Sequence, residues 1–197
     1  MTITGILLAA GRGSRFGADK LLAPLPAAFA DIPAGTPIGV AAGINLHRAI
    51  TDCLAVVRDD RSVFAALLRE HGLHTIECPD ADDGMGATLA CAINASRDAD
   101  GWVIALADMP WIRPKTIGAI VATLASGADI AAPAFGGRRG HPVGFARRHL
   151  DALAASSGDA GARAIVEAHP GQLTLIDVDD SGVVRDVDVP RDLEGGG

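Results

Sequence analysis

Gly11 and Gly13 follow a short apolar run, and Arg12, Arg15 and Lys20 come next with only Asp19 opposing them. Glycines let a loop turn tightly and direct its backbone N–H groups at an anion. Three cations so close together exceed what one carboxylate needs and suit a triphosphate. Far along the chain, Asp108 ends the apolar stretch Trp102–Ala107 and precedes Met109 and Pro110. A carboxylate there is costly to shield from water unless it is paired or metal-bound. Asp108 is therefore a candidate ligand for Mg²⁺, a hard ion that takes oxygen ligands and bridges substrate phosphates. The plainer readings are a glycine-rich turn with solvated cations and an aspartate that starts a proline turn.

Two familiar phosphate loops do not fit. The dinucleotide pattern GxGxxG needs glycine where Phe16 stands, and the GxxxxGK[ST] pattern fails because Ala18 and Asp19 separate Gly17 from Lys20.

The elements that must position these residues follow from the hydrophobic pattern. Ile3–Ala9, Cys53–Val57, His74–Glu77, Trp102–Ala107 and Asp129–Ala132 read as strands, several apolar on both faces as buried parallel strands are. Val40–Ile50, Arg61–Glu70, Ala87–Arg97 and Pro114–Ala125 carry apolar residues at helical spacing. Val143–Phe145, Leu173–Val178 and Val183–Val187 read as further strands, one of them a candidate for antiparallel pairing. Such alternation predicts a single doubly wound α/β domain over residues 1–194, with a mainly parallel sheet and helices on both faces. Its ligand would sit at the carboxyl ends of the strands. Gly195–Gly197 reads as a frayed tail. Pro24–Gly39, with four prolines and no periodicity, reads as a lid or insertion beside the site.

Composition narrows the function classes. At 197 residues and 49% apolar content the chain supports a full core. A formal charge of -7 speaks against nucleic acid as a partner, since no overall basic field attracts phosphates. Cys53, Cys78 and Cys91 are scattered and odd in number, which suits a reducing compartment better than a disulfide framework. No apolar run is long enough to cross a bilayer and no signal-peptide pattern precedes the first one, so a cytoplasmic protein with no membrane partner is expected.

The stretch LAAGRGSRFGADKLL resembles the nucleotide-binding signature LAAGxSxRMGxxKLL of the MobA-like nucleotidyltransferases, in particular the molybdenum cofactor cytidylyltransferases. Further matches run in the same order through GMGATLA, LADMP, GGRRGHPVGF, GDAGAR and DVDVPRDL, covering nearly the whole chain. The resemblance implies a nucleotide-diphospho-sugar transferase or Rossmann-like fold. It also implies nucleotide contacts from Leu8, Ala9, Ala10, Gly11, Arg12, Gly13, Arg15, Lys20, Pro79, Gly84 and Thr88. Arg15, Lys20 and Asp108 would be the catalytic set, and Mg²⁺ the cofactor.

For the remaining positions the residues leave alternatives. Asp188 matches an acidic position of the family and is either a second metal ligand or a helix-start residue. Asp186 and Asp188 would alternate on one strand face, and Val189 stands where the family usually has a capping Thr. Between Ile130 and Leu150 there is no acidic residue, while Arg138, Arg139, Arg147, Arg148, His141 and His149 all occur. By resemblance Arg138, His141, Asp159 and Arg163 shape an acceptor pocket; by local sequence Asp159 is a natural N-cap and His141 an ordinary loop histidine. Leu8-Ala9-Ala10-Gly11 favours cytosine, because the methyl group at position 10 leaves less room for a purine. The implied reaction moves CMP from CTP, or another nucleotide from its NTP, onto the phosphate of a molybdopterin-type acceptor and releases pyrophosphate. Two rivals on the same scaffold stay open: a carrier that hands cofactor to a molybdoenzyme or chaperone partner, and an oxidoreductase.

Overall fold

A computed structural model describes residues 1–11, 16, 19–58 and 62–194. Strands β1 (Ile3–Leu8), β2 (Cys53–Val57), β3 (His74–Glu77) and β4 (Gly101–Leu106) lie parallel in the order β3-β2-β1-β4. Beyond β4 come β5 (Ile130–Phe135), β6 (Arg138–Arg139), β7 (Val143–Ala146) and β8 (Leu173–Asp177). Strand β7 inserts antiparallel between β4 and β5, β8 adds parallel to β5, and β6 folds back on β5 as a short hairpin. The sheet is mixed and mostly parallel.

Both faces of the central strands are buried, so side-chain alternation divides their residues between two cores. Leu7, Ala55 and Val103 face helices α1 (Ile38–Ala49), α2 (Ser62–Glu70) and α4 (Pro114–Ala125). Ile6, Val56 and Ile104 face α3 (Met85–Ala95), α5 (Leu150–Ala154) and α6 (Ala162–Ala168). The expected doubly wound α/β architecture is therefore the observed one. From β1 the chain winds outward through β2 and β3, then returns to place β4 on the other side of β1. Strand order reverses there, and the carboxyl ends of the two strands open a crevice.

Three local expectations need correction. Val183–Val187 is not a strand. Ser181–Val184 forms a 3-10 turn, and the Asp180 carboxylate accepts from the Gly182 N–H at 3.2 Å. Asp180 is buried and also accepts from the Arg113 N–H at 2.9 Å and the Thr116 hydroxyl at 2.6 Å. It thereby satisfies an orphan donor at the start of α4 that no neighbouring side chain caps. Asp186 and Asp188 consequently do not alternate along a ladder.

Asp159 is not an N-cap either. Helix α6 starts at Ala162 after Gly161, whose φ of 48° only glycine adopts readily.

Of the two readings of Pro24–Gly39, lid or insertion, the packing favours a folded insertion. Pro24 bridges Pro37, and Phe29 bridges Ile32 across Ala30 and Asp31, both at positive φ. Leu25 and Ile32 are buried against Ile38, Trp111 and Val187 in a third small core. Leu25 and Ile32 anchor an otherwise irregular stretch there.

Candidate active site

Backbone pairing carries the site out of the sheet. At the end of β1 the Ala9 N–H donates to Val56 and the Leu8 carbonyl accepts from Ala107, so the chain stays extended past both strands. Ala9 and Ala10 are buried; Gly11 is exposed. After β4 the turn Asp108-Met109-Pro110 is held from three directions. The Met109 N–H donates to Leu106, the Val187 N–H donates to the Asp108 carbonyl at 2.9 Å, and the buried Asn45 amide of α1 donates to the Pro110 carbonyl at 2.9 Å. Fixing that backbone fixes where the Asp108 carboxylate points.

It points at Lys20. Lys20 opens a 3-10 turn, Lys20–Leu22, whose start Asp19 caps by accepting from the Leu21 N–H at 3.2 Å. The lysine is buried, yet its Nζ lies 2.8 Å from Asp108 Oδ2 and 3.5 Å from Asp188 Oδ1. A buried ammonium is tolerable only with such partners. Asp188 reaches this point from the C-terminal segment. There the Asp192 carboxylate accepts from the N–H groups of both Asp188 and Val189, at 2.8 Å each. Asp192 supplies the reciprocal half of a capping box, while Val189 has no hydroxyl to cap the N–H groups of the following turn.

Asp108 and Asp188 thus converge on one cation position. Two aspartate oxygens facing one point are a donor set suited to a hard divalent ion such as Mg²⁺ or Mn²⁺. These residues fit the implied metal.

The crevice beside them is a cavity of about 370 Å³ lined by Leu8–Gly11, Lys20, Gly84, Thr88, Asp108 and Asp159 among others. Of the expected nucleotide contacts, Leu8, Ala9, Ala10, Gly11, Lys20, Gly84 and Thr88 are brought together here. Pro79 is exposed and stands outside the lining. Arg12, Gly13 and Arg15 lie outside the described residues. The Thr88 hydroxyl donates back to the Gly84 carbonyl at 3.3 Å. Gly84 has a φ of 103°, and a Cβ there would meet Asp159 and the Gly158 backbone at 2.7 Å. The 157–161 loop therefore docks directly on the start of α3.

A second cavity of about 260 Å³ shares Leu8, Met85, Leu106 and Asp159 with the first. Its floor is apolar, including Ile104, Val143 and Val166, and its rim carries Arg139, His141 and Arg163. Three of the four expected acceptor residues, His141, Asp159 and Arg163, line it. Arg138 instead lines an adjoining hollow with Arg139, His141 and Asp186. Arg163 is exposed and pairs with Glu167 at 2.7 Å. Burial holds His141 below the usual imidazole range, and Arg139 adds to this against the opposite pull of Asp108 and Asp186. A neutral His141 can accept or donate one hydrogen bond at pH 7.

The acid-free stretch from Ile130 to Leu150 divides into two groups. Arg147 binds the carbonyls of Arg97 and Ala99, and Arg148 pairs with Asp129 at 2.8 Å. His149 is buried, edge-on to Phe145 at 5.8 Å. Only Arg138, Arg139 and His141 turn toward the site.

Sequence reasoning missed Ala81, Asp82, Met85 and Leu106, which also line the first cavity. Asp82 pairs with Arg58 at 2.6 Å. Ala81, Met85 and Leu106 carry no chemical signal in their residue types; the end of β4 places Leu106, a 3-10 turn places Ala81 and Asp82, and Met85 opens α3. Cys53 and Cys91 are poor nucleophiles. Burial and Asp52 push the Cys53 thiol up to about 12, and burial with neighbouring Cys78 pushes Cys91 up to about 11.

Residues 5–173 match the MobA-like NTP transferase domain. The chain belongs to that family. It is 29% identical to the purine catabolism protein PucB of Bacillus subtilis over 98% of this chain and 94% of that one. It is 28% identical to the nicotine blue oxidoreductase of Paenarthrobacter nicotinovorans over 97% and 94%. Among solved structures, Rv0371c of Mycobacterium tuberculosis superposes with a TM-score of 0.80 at 27% identity, covering 98% of this chain and 96% of that one. The manganese complex of the same protein gives 0.77 at 26% identity over the whole of both chains. The family assignment makes this chain an NTP transferase with a MobA-like domain. Among the described residues, no helix is long and apolar enough to cross a membrane.

Proposed function

We propose that this chain transfers CMP from CTP, with Mg²⁺, to the phosphate of a molybdopterin-type acceptor. The observation that carries the reading is Lys20 seated between Asp108 and Asp188 at the mouth of a cavity lined by Leu8–Gly11. Lys20, with Arg15 and Arg12, would grip the triphosphate, and the glycine-loop amides around Gly13 would complete that cradle. Ala10, buried at the cavity wall, would limit the base to a pyrimidine. A Mg²⁺ held by Asp108 and Asp188 would neutralise charge on the phosphates as it shifts toward pyrophosphate.

The acceptor would lie in the second cavity, its flat ring on the apolar floor and its anion facing Arg139, His141 and Arg163. Its phosphate is ionised near neutral pH, so the attack on the α-phosphorus needs no catalytic base. The residues would act by positioning and by balancing charge. The two cavities share Leu8, Met85, Leu106 and Asp159, so an acceptor phosphate at that boundary would lie beside the nucleotide.

The 28% likeness to a nicotine blue oxidoreductase favours one other reading, in which the same crevice serves hydride transfer. The Lys20–Asp108–Asp188 cluster argues for transfer, because hydride chemistry has no need of two carboxylates sharing one cation. The test is incubation with CTP, Mg²⁺ and a molybdopterin-type acceptor. Pyrophosphate release in step with acceptor consumption is expected. NAD(P)H consumption without pyrophosphate would replace this reading with the oxidoreductase, and acceptor binding with neither reaction would replace it with a carrier.

A further inference from the structure

We infer that Lys20 is a resident counter-ion for the metal site, which a divalent ion must displace, so that metal and nucleotide load together. The inference rests on the phosphate-and-metal reading above and adds the state of the site before loading. Asp108 and Asp188 come from chain segments far apart in sequence, and both face the same lysine, at 2.8 and 3.5 Å. Without a positive charge between them, the part-buried Asp108 carboxylate and the half-exposed Asp188 carboxylate would repel. The Lys20 ammonium supplies that charge from a buried position.

A divalent ion drawn to the same oxygens meets this ammonium at close range. Two like charges a few ångströms apart at a partly buried site repel. Both cannot keep their places, so Lys20 must swing away as the metal arrives. Its stem is anchored by a short capped turn, and the adjoining cavity, which Lys20 also lines, offers the head group a place to move. A triphosphate in that cavity would receive it. Metal alone therefore faces a competitor, whereas metal with nucleotide does not. By linkage, each raises the affinity of the other.

The sign of this effect separates it from a merely structural role. Lys20→Met keeps the apolar stem and removes the charge. Manganese binding in the absence of nucleotide, read by the fall in its free electron-paramagnetic-resonance signal, should tighten by at least about tenfold in Lys20→Met. CTP binding without metal should weaken in the same variant. The mutual enhancement between manganese and CTP should shrink. Asp108→Asn should abolish the manganese binding, which locates the ion being measured, and melting curves establish that each variant is folded.

Unchanged or weaker manganese binding in folded Lys20→Met overturns the inference, as does manganese binding that Asp108→Asn leaves intact. CTP titrated into the wild-type protein with Mg²⁺ separates the two claims. If CTP fails to bind there, the transferase reading falls, whereas the manganese affinities alone decide the role of Lys20.

Discussion

The two cavities at the β1–β4 crevice share a wall but are built on different principles. The first is defined by charge: one buried ammonium, two converging aspartates and a backbone cradle from Leu8 to Gly11. The second is defined by shape, with an apolar floor and a rim of Arg139, His141 and Arg163. Charge chemistry permits few alternatives, so the phosphate and metal site we propose in the first cavity does not depend on the base or acceptor. An apolar floor with cationic corners accepts many flat anions, which is why the acceptor is the least constrained part of the reaction.

Mutations should separate the two cavities cleanly. Asp108→Ala should have the largest effect, lowering the pyrophosphate-release rate by about 10²–10³-fold, the usual cost of one transition-state charge partner. Lys20→Ala should weaken CTP–Mg²⁺ binding by about 1.5–3 kcal/mol, as expected for a charged hydrogen bond; calorimetry showing no loss would remove Lys20 from the site. In the second cavity, Ala160→Trp should fill space and raise the acceptor KM by about tenfold, a loss on the scale of ordinary apolar contacts. The same substitution should leave the CTP dissociation constant unchanged, and a parallel rise in both would show that the cavities are one site. Ala10→Gly should narrow the preference for CTP over GTP by about tenfold, the value of one methyl group in a pocket wall.

The smallest effect concerns His141. Its folded-state pKa lies below its unfolded value, so the unfolded chain takes up a proton first as pH falls. Stability should be full above about pH 6.5 and decline below it until the folded value is reached. Metal-free denaturation curves should show this slope in wild type and a flatter one in His141→Gln.

Much of this was legible from residue types. Strands buried on both faces, such as Cys53–Val57, have no polar alternation to confuse them, and α4 was bounded by Pro114 at its start. The convergence of Lys20 and Asp108 was legible because a glycine–cation loop and a strand-ending carboxylate both belong at carboxyl edges of a parallel sheet. What failed depended on distant contacts. Val183–Val187 has the alternation of a strand, but Asp180 curls its start into a 3-10 turn and Val187 gives its N–H to Asp108. Asp159 has the chemistry of a cap, but Gly161 takes over the helix start while Asp159 turns to Gly84 and the cavities. Pro24–Gly39 lacks periodicity, and only the docking of Leu25 and Ile32 on Trp111 reveals it as packed.

The most direct test of the charge-defined cavity is a crystal structure with manganese and a non-hydrolysable CTP analogue, read by anomalous diffraction. The expected result is an anomalous peak coordinated by Asp108 and Asp188, with Lys20 moved onto the phosphates and the cytosine beside Ala10. A nucleotide bound with its phosphates away from Asp108, or a manganese peak at other ligands with Lys20 still between the two aspartates, would contradict it.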